Sequence, residues 1–306
     1  MRLTVRFQNL CDGGEVGGPR WARLAARLTE GGRPDVVALA ECRGWDAHDQ
    51  ALLHRASADL GLVPAGLATV RSLDGQPCAI LYNPQTMGER PDWFDGFAFH
   101  HGAGVAVFTP PALGGRRLHI GVGHLDPYSR TAARIEAETL CARLVFPPEH
   151  DPLALLCADF NSPPLAGPAP DPARLYPGTR AARTDLADPF GSSTERVVNR
   201  EIAVAVQNAD LLDVAQTLHP PHDDPALSAP TGVAGDRVDR ACASPALLER
   251  ARRYRILGVP GDGTASDHAG IEVAFELPPG QDPMTSLPPR VRRHEGPLQA
   301  QFDPNR

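Results

Sequence analysis

The chain has 306 residues, and 30 basic residues against 37 acidic ones give it a formal net charge of −7. With 42% hydrophobic residues it can bury a substantial core, so intrinsic disorder is not expected. The sequence contains no lysine, and all 30 basic residues are arginine. This excludes enzymes that form a Schiff base on lysine, and nucleotide-binding proteins that hold phosphates with the lysine of a Walker A loop.

The N-terminal region predicts a β–α–β unit. A first strand over Leu3–Phe7 alternates apolar and polar residues. Apolar residues with helical spacing follow over Trp21–Leu28, and Asp35 then leads into a short, wholly apolar strand that ends at Glu41. A second helix is predicted over Asp46–Leu60, just before a glycine.

The middle of the chain predicts short strands separated by Gly, Pro and Asn residues. Within residues 62–108, the clearest are Cys78–Tyr82 and Val105–Phe108. The segment Arg117–Leu125 alternates well, and Leu153–Cys157 is a wholly apolar strand. Together with the N-terminal strands, these segments indicate an α/β protein rather than an all-helical one.

Two further helices are predicted after residue 128. The first runs from a capping Ser129 to about Leu144, with Glu136 and Glu138 on its solvent side. The second spans Arg200–Leu218, and the polar sequence Asn208–Asp210 could split it.

The C-terminal part combines loops, strands and a proline-rich tail. Residues Pro163–Asp188 are rich in proline, so no secondary structure is assigned to them. Strands are predicted at Val238–Ala243, Tyr254–Leu257 and Ile271–Leu277. Without a repeat or an internal linker, residues 1–277 are expected to form one domain, and residues 278–306 an irregular or flexible tail.

Nothing in the sequence predicts a membrane span or a secretory signal, so the expected location is the cytoplasm and no membrane partner is expected. The six cysteines contain no C-x-x-C pair, which argues against a zinc site and a disulfide framework. Most are expected to be small buried apolar residues. The oligomeric state is not predicted by any of these features.

Polar residues that suit metal and phosphate chemistry follow the ends of the apolar strands. They are Asn9, Glu41, His124, Asp159, Asn161, Asp239, Asp267 and His268. Residues at like ends of neighbouring strands converge in space, so these side chains are expected to share a pocket. Carboxylate and amide oxygens without cysteine favour Mg²⁺ or Mn²⁺ over zinc. Each residue alone also fits a turn, an ion pair or a buried histidine, and the argument depends on the whole set.

The ordered motifs QNL, PDVVALAE, HLDP, ADFN, RVD and SDH resemble the endonuclease/exonuclease/phosphatase superfamily, over about residues 3 to 277. The resemblance implies a four-layer α-β-β-α sandwich, in which two mixed sheets pack face to face with helices outside. It also implies an active site at one edge of the sandwich.

The resemblance implies a role for each motif residue. Glu41, Asn9 and Asp267 would form the metal site, and Asp159 would orient the attacking water or help a second metal. Asn161 would donate to a phosphate oxygen, and His268, oriented by Asp239, would contact the phosphate or act as base. His124 would serve the leaving oxygen, as in the DNase and sphingomyelinase branches, although the two histidines could exchange roles. Asn161 and Arg240 are the expected substrate contacts.

The sequence departs from the family pattern at two positions. Ala40 stands where a glutamine usually precedes the glutamate, and Ala158 replaces a glycine before Asp159. Neither change removes a ligand, but the first can alter support for the metal. The carboxylate that pairs with the equivalent of His124 in DNases has no clear counterpart, and Asp74 and Asp126 are the candidates.

The leading hypothesis is therefore a divalent-metal-dependent phosphodiesterase, most simply a nuclease, in which water attacks phosphorus in line. A phosphomonoesterase acting on a small-molecule, lipid or sugar phosphate is one alternative, and a non-catalytic binding protein on the same fold is another. DNA or RNA is a possible partner, for which seven arginines and three aromatic residues are candidate contacts. They are Arg43, Arg116, Arg117, Arg130, Arg180, Arg183, Arg240, Trp45, Trp93 and Tyr128.

Overall fold

The computed structural model describes residues 1–70, 72, 74–145, 152–167, 169–192, 194–218, 229–261 and 265–279. The predicted tail at 278–306 lies outside the described residues, apart from its first two positions. None of the helices in the described ranges is long and apolar enough to cross a membrane.

The chain forms fourteen strands and eight α-helices over these described ranges. The strands are β1 Arg2–Asn9, β2 Val36–Ala40, β3 Val63–Ala68, β4 Cys78–Tyr82, β5 Asp92–Phe94, β6 Ala103–Phe108, β7 Leu118–His124, β8 Leu153–Asp159, β9 Thr184–Leu186, β10 Arg196–Val198, β11 Leu212–Asp213, β12 Asp239–Ala243, β13 Ala251–Leu257 and β14 Gly270–Glu276. The helices are α1 Pro19–Thr29, α2 Ala51–Leu60, α3 Pro84–Met87, α4 Arg130–Val145, α5 Pro177–Arg183, α6 Glu201–Asn208, α7 Val214–Leu218 and α8 Pro245–Leu248.

Two mixed six-stranded sheets contain most of the strands. The first has the order β13-β14-β1-β2-β4-β3, and the second has the order β11-β12-β8-β7-β6-β5. Each sheet has one parallel pair near its centre, β1 with β2 and β7 with β8, while its other pairs are antiparallel. A parallel pair needs a crossover connection, which α1 and α4 supply.

The sheets pack face to face through alternate residues of their strands. Phe7 and Val273 of the first sheet and Ile120 and Leu155 of the second lie in this central core. A second core packs α4 and α6 on the outer face of the second sheet. A third packs α1 and α2 on the outer face of the first. The order of layers is therefore α-β-β-α, which confirms the predicted fold class.

The structure corrects the sequence predictions in the loop-rich and helical regions. The segment 163–188 contains α5 and the start of a small β9–β10 hairpin, although no secondary structure was predicted there. The helix predicted at Arg200–Leu218 is split, as the sequence allowed, into α6 and α7 with β11 between them.

Glu136 is buried, contrary to the prediction that it faces solvent. The buried stripe of α4 includes Ala133, Ala137 and Leu140, and its helical spacing includes position 136. The Glu136 carboxylate accepts the backbone N–H groups of His100 and Asp126 at 2.8 and 2.7 Å. It therefore ties α4 to two loops, which compensates for its burial.

Glu272 on β14 is a fully buried carboxylate surrounded by arginines. Arg6 contacts it at 2.6 Å, Arg253 at 2.6 Å and Arg255 at 3.0 Å. Arg6 also donates to the carbonyl oxygens of Leu28 and Glu30 at the C-terminal end of α1. The cluster therefore joins the first sheet to its covering helix.

We expect Glu272→Gln to destabilise the fold by about 3 kcal/mol, because it leaves the buried Arg6 without its counter-charge. Burial alone would raise the pKa of Glu272, but Arg255 and Arg6 outweigh it and lower that pKa below its ordinary value. The stability that Glu272 contributes is thus present above the ordinary glutamate pKa and is lost as pH falls through the lowered one. Urea unfolding of the two proteins at several pH values measures this.

Glu276→Gln is the matched control, because Glu276 makes an exposed ion pair with Arg252 at 3.2 Å. It should change the free energy of unfolding by about 0.5 kcal/mol or less. Two results would contradict the stabilising role of Glu272. One is an equal loss in the free energy of unfolding for both variants, and the other is a loss in Glu272→Gln that does not become smaller towards acid pH.

Candidate active site

The register of the strands brings polar residues of both sheets to one edge of the sandwich. In the first sheet, Asn9 ends β1 opposite Ala40, which directly precedes Glu41. In the second sheet, Asp159 at the end of β8 lies opposite His124 of β7 and Asp239 of β12. Because β1, β2, β7 and β8 end at this edge, the residues predicted from six separate motifs meet there.

The buried amide of Asn9 joins the two sheets. Its Nδ2 donates to Glu41 Oε1 and to Asp159 Oδ2, both at 3.0 Å, and its Oδ1 accepts the N–H of Cys11 at 3.0 Å. The amide thus separates two carboxylates that would otherwise repel each other. It also fixes the distance between the two halves of the site.

Glu41 and Asn161 have left-handed backbone conformations, with φ of 56° and 47°. This conformation is unfavourable for a residue with a side chain, glutamate more than asparagine, and such strain is concentrated at functional sites. Glu41 follows directly after the buried strand β2, and Asn161 lies two residues after the end of the buried strand β8. Glu41 Oε2 accepts the N–H of Asp12 at 2.9 Å, which stabilises the turned side chain.

His268 forms an imidazole–carboxylate pair with Asp239. Its Nδ1 lies 2.7 Å from Asp239 Oδ2 and 3.8 Å from Asp159 Oδ2. Burial alone would lower the pKa of His268, but the Asp239 carboxylate raises it well above its ordinary value. Burial raises the pKa of Asp239 to about 7, against the attraction of His268. The geometry favours a charged His268 whose Nδ1 is held by Asp239.

Asp159 remains ionised at the centre of the site. Burial alone would raise its pKa, but the attraction of His268, His124 and Arg183 lowers the pKa to about 2. Its Oδ1 accepts the N–H of Asn161 at 2.9 Å. At neutral pH Asp159 is therefore an acceptor of hydrogen bonds.

Arg183, the last residue of α5, holds the amide of Asn161. Its Nη2 donates to Asn161 Oδ1 at 2.6 Å, and its Nη1 lies 3.5 Å from the buried Asp236 carboxylate. Asn161 Nδ2 donates one hydrogen to the carbonyl of Leu125 at 2.9 Å. This arrangement fixes which end of the amide carries the N–H groups, and its second N–H is available to a ligand.

Neither of the two carboxylates that the sequence suggested, Asp74 and Asp126, pairs with His124 in the described structure. The buried Nδ1 of His124 has no hydrogen-bond partner in the described part of the chain, and its Nε2 lies 3.6 Å from Asp159. Asp126, one of the two candidates, instead accepts the backbone N–H groups of Tyr128 and Ser129. Asp74, the other candidate, is exposed, whereas His124 is buried. The ring that contacts His124 is that of His101, stacked at a centroid distance of 3.9 Å.

Asp267 and Glu41 fit a divalent cation by the chemistry of their donor groups. Both carboxylates lie near the thiol of Cys11. Burial raises the pKa of this thiol, and the negative charges of Asp267 and Glu41 raise it further. A cation would relieve their repulsion, and carboxylate and amide oxygens are the ligands that Mg²⁺ and Mn²⁺ prefer.

A second group, Asp159, Asp239 and His268, also offers ligand atoms within 4.8 Å of one another. Within it, the 2.7 Å contact between His268 Nδ1 and Asp239 Oδ2 has the length of a hydrogen bond. We therefore interpret His268 and Asp239 as a hydrogen-bonded imidazole–carboxylate pair beside the ionised carboxylate of Asp159.

Arg240 is placed away from the site, which corrects the expectation that it contacts substrate. Its side chain is fully buried, with the guanidinium over the Phe160 ring at 4.0 Å. Neighbouring residues of a strand face opposite sides, so Arg240 points towards the outer helices when Asp239 faces the site. Trp45, a candidate for stacking on a base, is likewise buried, and Tyr128 is largely exposed.

Sequence reasoning missed His101 and gave Arg183 no specific role. Antiparallel β6 begins two residues after His101, so His101 lies at the edge where β7 ends. The polar residues predicted from the sequence mostly follow strands, whereas His101 precedes an antiparallel strand that begins at the same edge. Nothing in the local sequence around Arg183 indicates that α5 brings it to Asn161.

The sequence matches one known protein family. The family is described as the Endonuclease/Exonuclease/phosphatase family, and the match covers residues 10–268 of this chain. Among curated proteins, none matches the sequence.

Solved structures show the same fold at low sequence identity. A humanized D. rerio TDP2 is 18% identical with a TM-score of 0.57, covering 90% of this chain and 99% of its own. An AP endonuclease from Archaeoglobus fulgidus is 14% identical with a TM-score of 0.58, covering 90% and 100%. The 3' phosphatase NExo from Neisseria, bound to a product DNA hairpin, is 15% identical with a TM-score of 0.56, covering 90% and 100%.

We expect Asp239→Asn to lower the pKa of His268 by about one pH unit or more, because the variant removes the opposite charge 2.7 Å away. Histidine ring titration by NMR, in metal-free buffer with a chelator, measures this pKa. Asp126→Asn is the control, since Asp126 caps the turn at Tyr128 and should leave the His268 titration unchanged. An unchanged pKa in Asp239→Asn would rule out Asp239 as the controlling partner.

Proposed function

The chain belongs to the endonuclease/exonuclease/phosphatase family of metal-dependent phosphoesterases, and on this premise we propose that it is a phosphodiesterase, in the simplest case a nuclease. One observation carries the proposal most: the Asn9 amide holds Glu41 of one sheet and Asp159 of the other at the same edge as the His268–Asp239 pair. Negative groups for a cation and positive groups for a phosphate thus lie side by side.

The proposed cation site consists of Glu41 and Asp267, supported by Asn9. Glu41 is held by hydrogen bonds to both oxygens, which presents its remaining lone pairs in a fixed direction. Asp267 is exposed and can move to meet a cation. A bound Mg²⁺ or Mn²⁺ would neutralise the charge that develops on the phosphate oxygens. The oxygen donors explain why these hard cations are proposed.

The proposed roles of the other residues follow from their partners. Asp159, ionised and buried, orients a water molecule for in-line attack on phosphorus. His268 uses Nδ1 to bind Asp239, so its Nε2 donates to a phosphoryl oxygen in the transition state. Asn161, held by Arg183, directs an N–H towards the same phosphate. His124 assists the leaving oxygen.

Phosphomonoester hydrolysis is the second candidate. The Neisseria neighbour is a 3' phosphatase, so this fold accommodates that reaction in another protein. Family membership favours either reaction over the non-catalytic alternative. DNA or RNA is the proposed substrate class, supported by Tyr128, whose largely exposed ring follows His124 closely and is available to stack on a base.

We expect the protein to cleave bis-p-nitrophenyl phosphate and a DNA or RNA oligonucleotide in Mg²⁺ or Mn²⁺ and to be inactive in a chelator. p-Nitrophenyl phosphate, plasmid DNA and the two oligonucleotides, assayed in parallel, separate the candidates. Release of phosphate from the monoester alone, without cleavage of any diester, would select the phosphomonoesterase. Full diester cleavage in the chelator would contradict a metal-dependent reaction.

Glu41→Gln and His268→Ala should each reduce metal-dependent kcat/KM by about 100-fold or more, because one removes a charged ligand and the other a phosphate contact. Glu138→Gln changes a half-exposed glutamate on α4 and should leave the activity unchanged. Circular dichroism and thermal unfolding establish that the variants fold. Folded variants with wild-type activity would refute the proposed site.

A further inference from the structure

His124 is held by an imidazole stack where hydrogen bonding would be expected. The rings of His101 and His124 are almost parallel, at an angle of 7° and a centroid distance of 3.9 Å. Both side chains are buried. The Nδ1 of His124 has no hydrogen-bond partner among the described residues, and its Nε2 lies 3.6 Å from Asp159, which is longer than a hydrogen bond. We therefore take the stack as the contact that fixes the plane of the ring.

The backbone determines the state of His101. Its Nδ1 accepts the N–H of Gln76 at 3.1 Å, and a backbone N–H can only donate. His101 Nδ1 is therefore unprotonated, and the ring is the neutral tautomer with hydrogen on Nε2. The N–H of Gly102 donates in turn to the carbonyl of Gln76 at 2.8 Å, which anchors the segment that carries His101.

We propose that His101 is the positioning residue of His124: it holds the His124 ring by stacking and is itself neutral, so that His124 is the ring that serves the leaving oxygen. The proposal rests on the proposed phosphodiesterase function. It concerns the part of the active site that serves the leaving oxygen. The Asp159 carboxylate lies 3.6 Å from the edge of the His124 ring, at Nε2. The His101 ring instead covers a face of His124, and a contact with the face fixes the plane of the ring.

The surroundings of His101 favour the neutral ring. The titratable and charged groups that face it are His124, His100, Asp159 and Arg43. Burial, with His124, His100 and Arg43, outweighs the opposite effect of Asp159 and lowers the pKa of His101 to about 2. Two protonated rings at 3.9 Å would repel each other strongly, so the stack accepts at most one proton.

Two variants of His101 distinguish the effect of its stacked ring from the effect of its hydrogen bond with Gln76. His101→Phe keeps an aromatic ring and loses the acceptor for Gln76, whereas His101→Gln keeps an acceptor and loses the ring. We expect His101→Phe to retain kcat within about threefold, and His101→Gln and His101→Ala to lose about 10- to 100-fold in kcat with little change in KM. The reverse order would overturn the proposal. Thermal unfolding of each variant reports any loss of stability separately.

The substrate's leaving group tests whether His101 acts through His124. A p-nitrophenolate leaves without a proton, but a nucleoside or alkyl alkoxide needs one. The loss in His101→Ala should therefore be large with a dinucleotide and small with bis-p-nitrophenyl phosphate. In a His124→Ala background, His101→Ala should have no further effect. Equal losses with both substrates, or additive losses in the double variant, would contradict the coupling.

NMR provides a readout that does not depend on catalysis. Ring ¹⁵N spectra should show His101 as the neutral Nε2–H tautomer, with no titration between pH 5 and 8. His101→Ala should change the His124 ring signals, while His101→Phe should retain a ring-current effect on them. Titration of His101 in this range would overturn the proposal even if the protein proved inactive on every phosphodiester. Inactivity with the expected spectra would instead count against the proposed function alone.

Discussion

One buried amide sets the geometry on which the site depends. Asn9 donates to Glu41 and to Asp159, and these carboxylates come from different sheets. Without an amide between them, two negative charges at this separation would push the edge of the sandwich open or take up protons. The amide donates a hydrogen bond to each carboxylate. It therefore couples the packing of the two sheets to the distance between the proposed cation site and the phosphate-binding residues.

The charges around this amide alternate in sign. Asp239 stabilises a charged His268, His268 and Arg183 lower the pKa of Asp159, and Arg183 also holds Asn161. Each buried charge thus has an opposite charge within a few ångströms, which is the condition for keeping ionised groups away from water. The proposed cation would complete the pattern beside Glu41 and Asp267, which make no ion pair within the part of the chain that the structure describes.

The absence of lysine affects the interior as well as the surface. The buried basic residues of the described chain are Arg6, Arg183, Arg237 and Arg240. A guanidinium donates several hydrogen bonds in a fixed plane and stays charged when buried, whereas a buried ammonium tends to lose its proton. Arg6 can therefore serve Glu272 and two helix carbonyls together, and Arg240 can lie flat on Phe160. Buried arginines thus stabilise the fold, as Arg6 does, and position site residues, as Arg183 positions Asn161.

The sequence by itself determined the layers of the fold and the residues at strand ends. Apolar alternation and buried runs are local properties, so the strands around Asn9, Glu41, His124 and Asp159 could be recognised, and the order of the motifs indicated the family.

Only the tertiary structure decided which way the remaining side chains face. Arg240 follows a site residue yet points to the outer helices, and Glu136 turns inwards to bind two loops. His101 and Arg183 reach the site through an antiparallel neighbour and a distant helix. Such contacts depend on strand register and loop path, which no local pattern encodes.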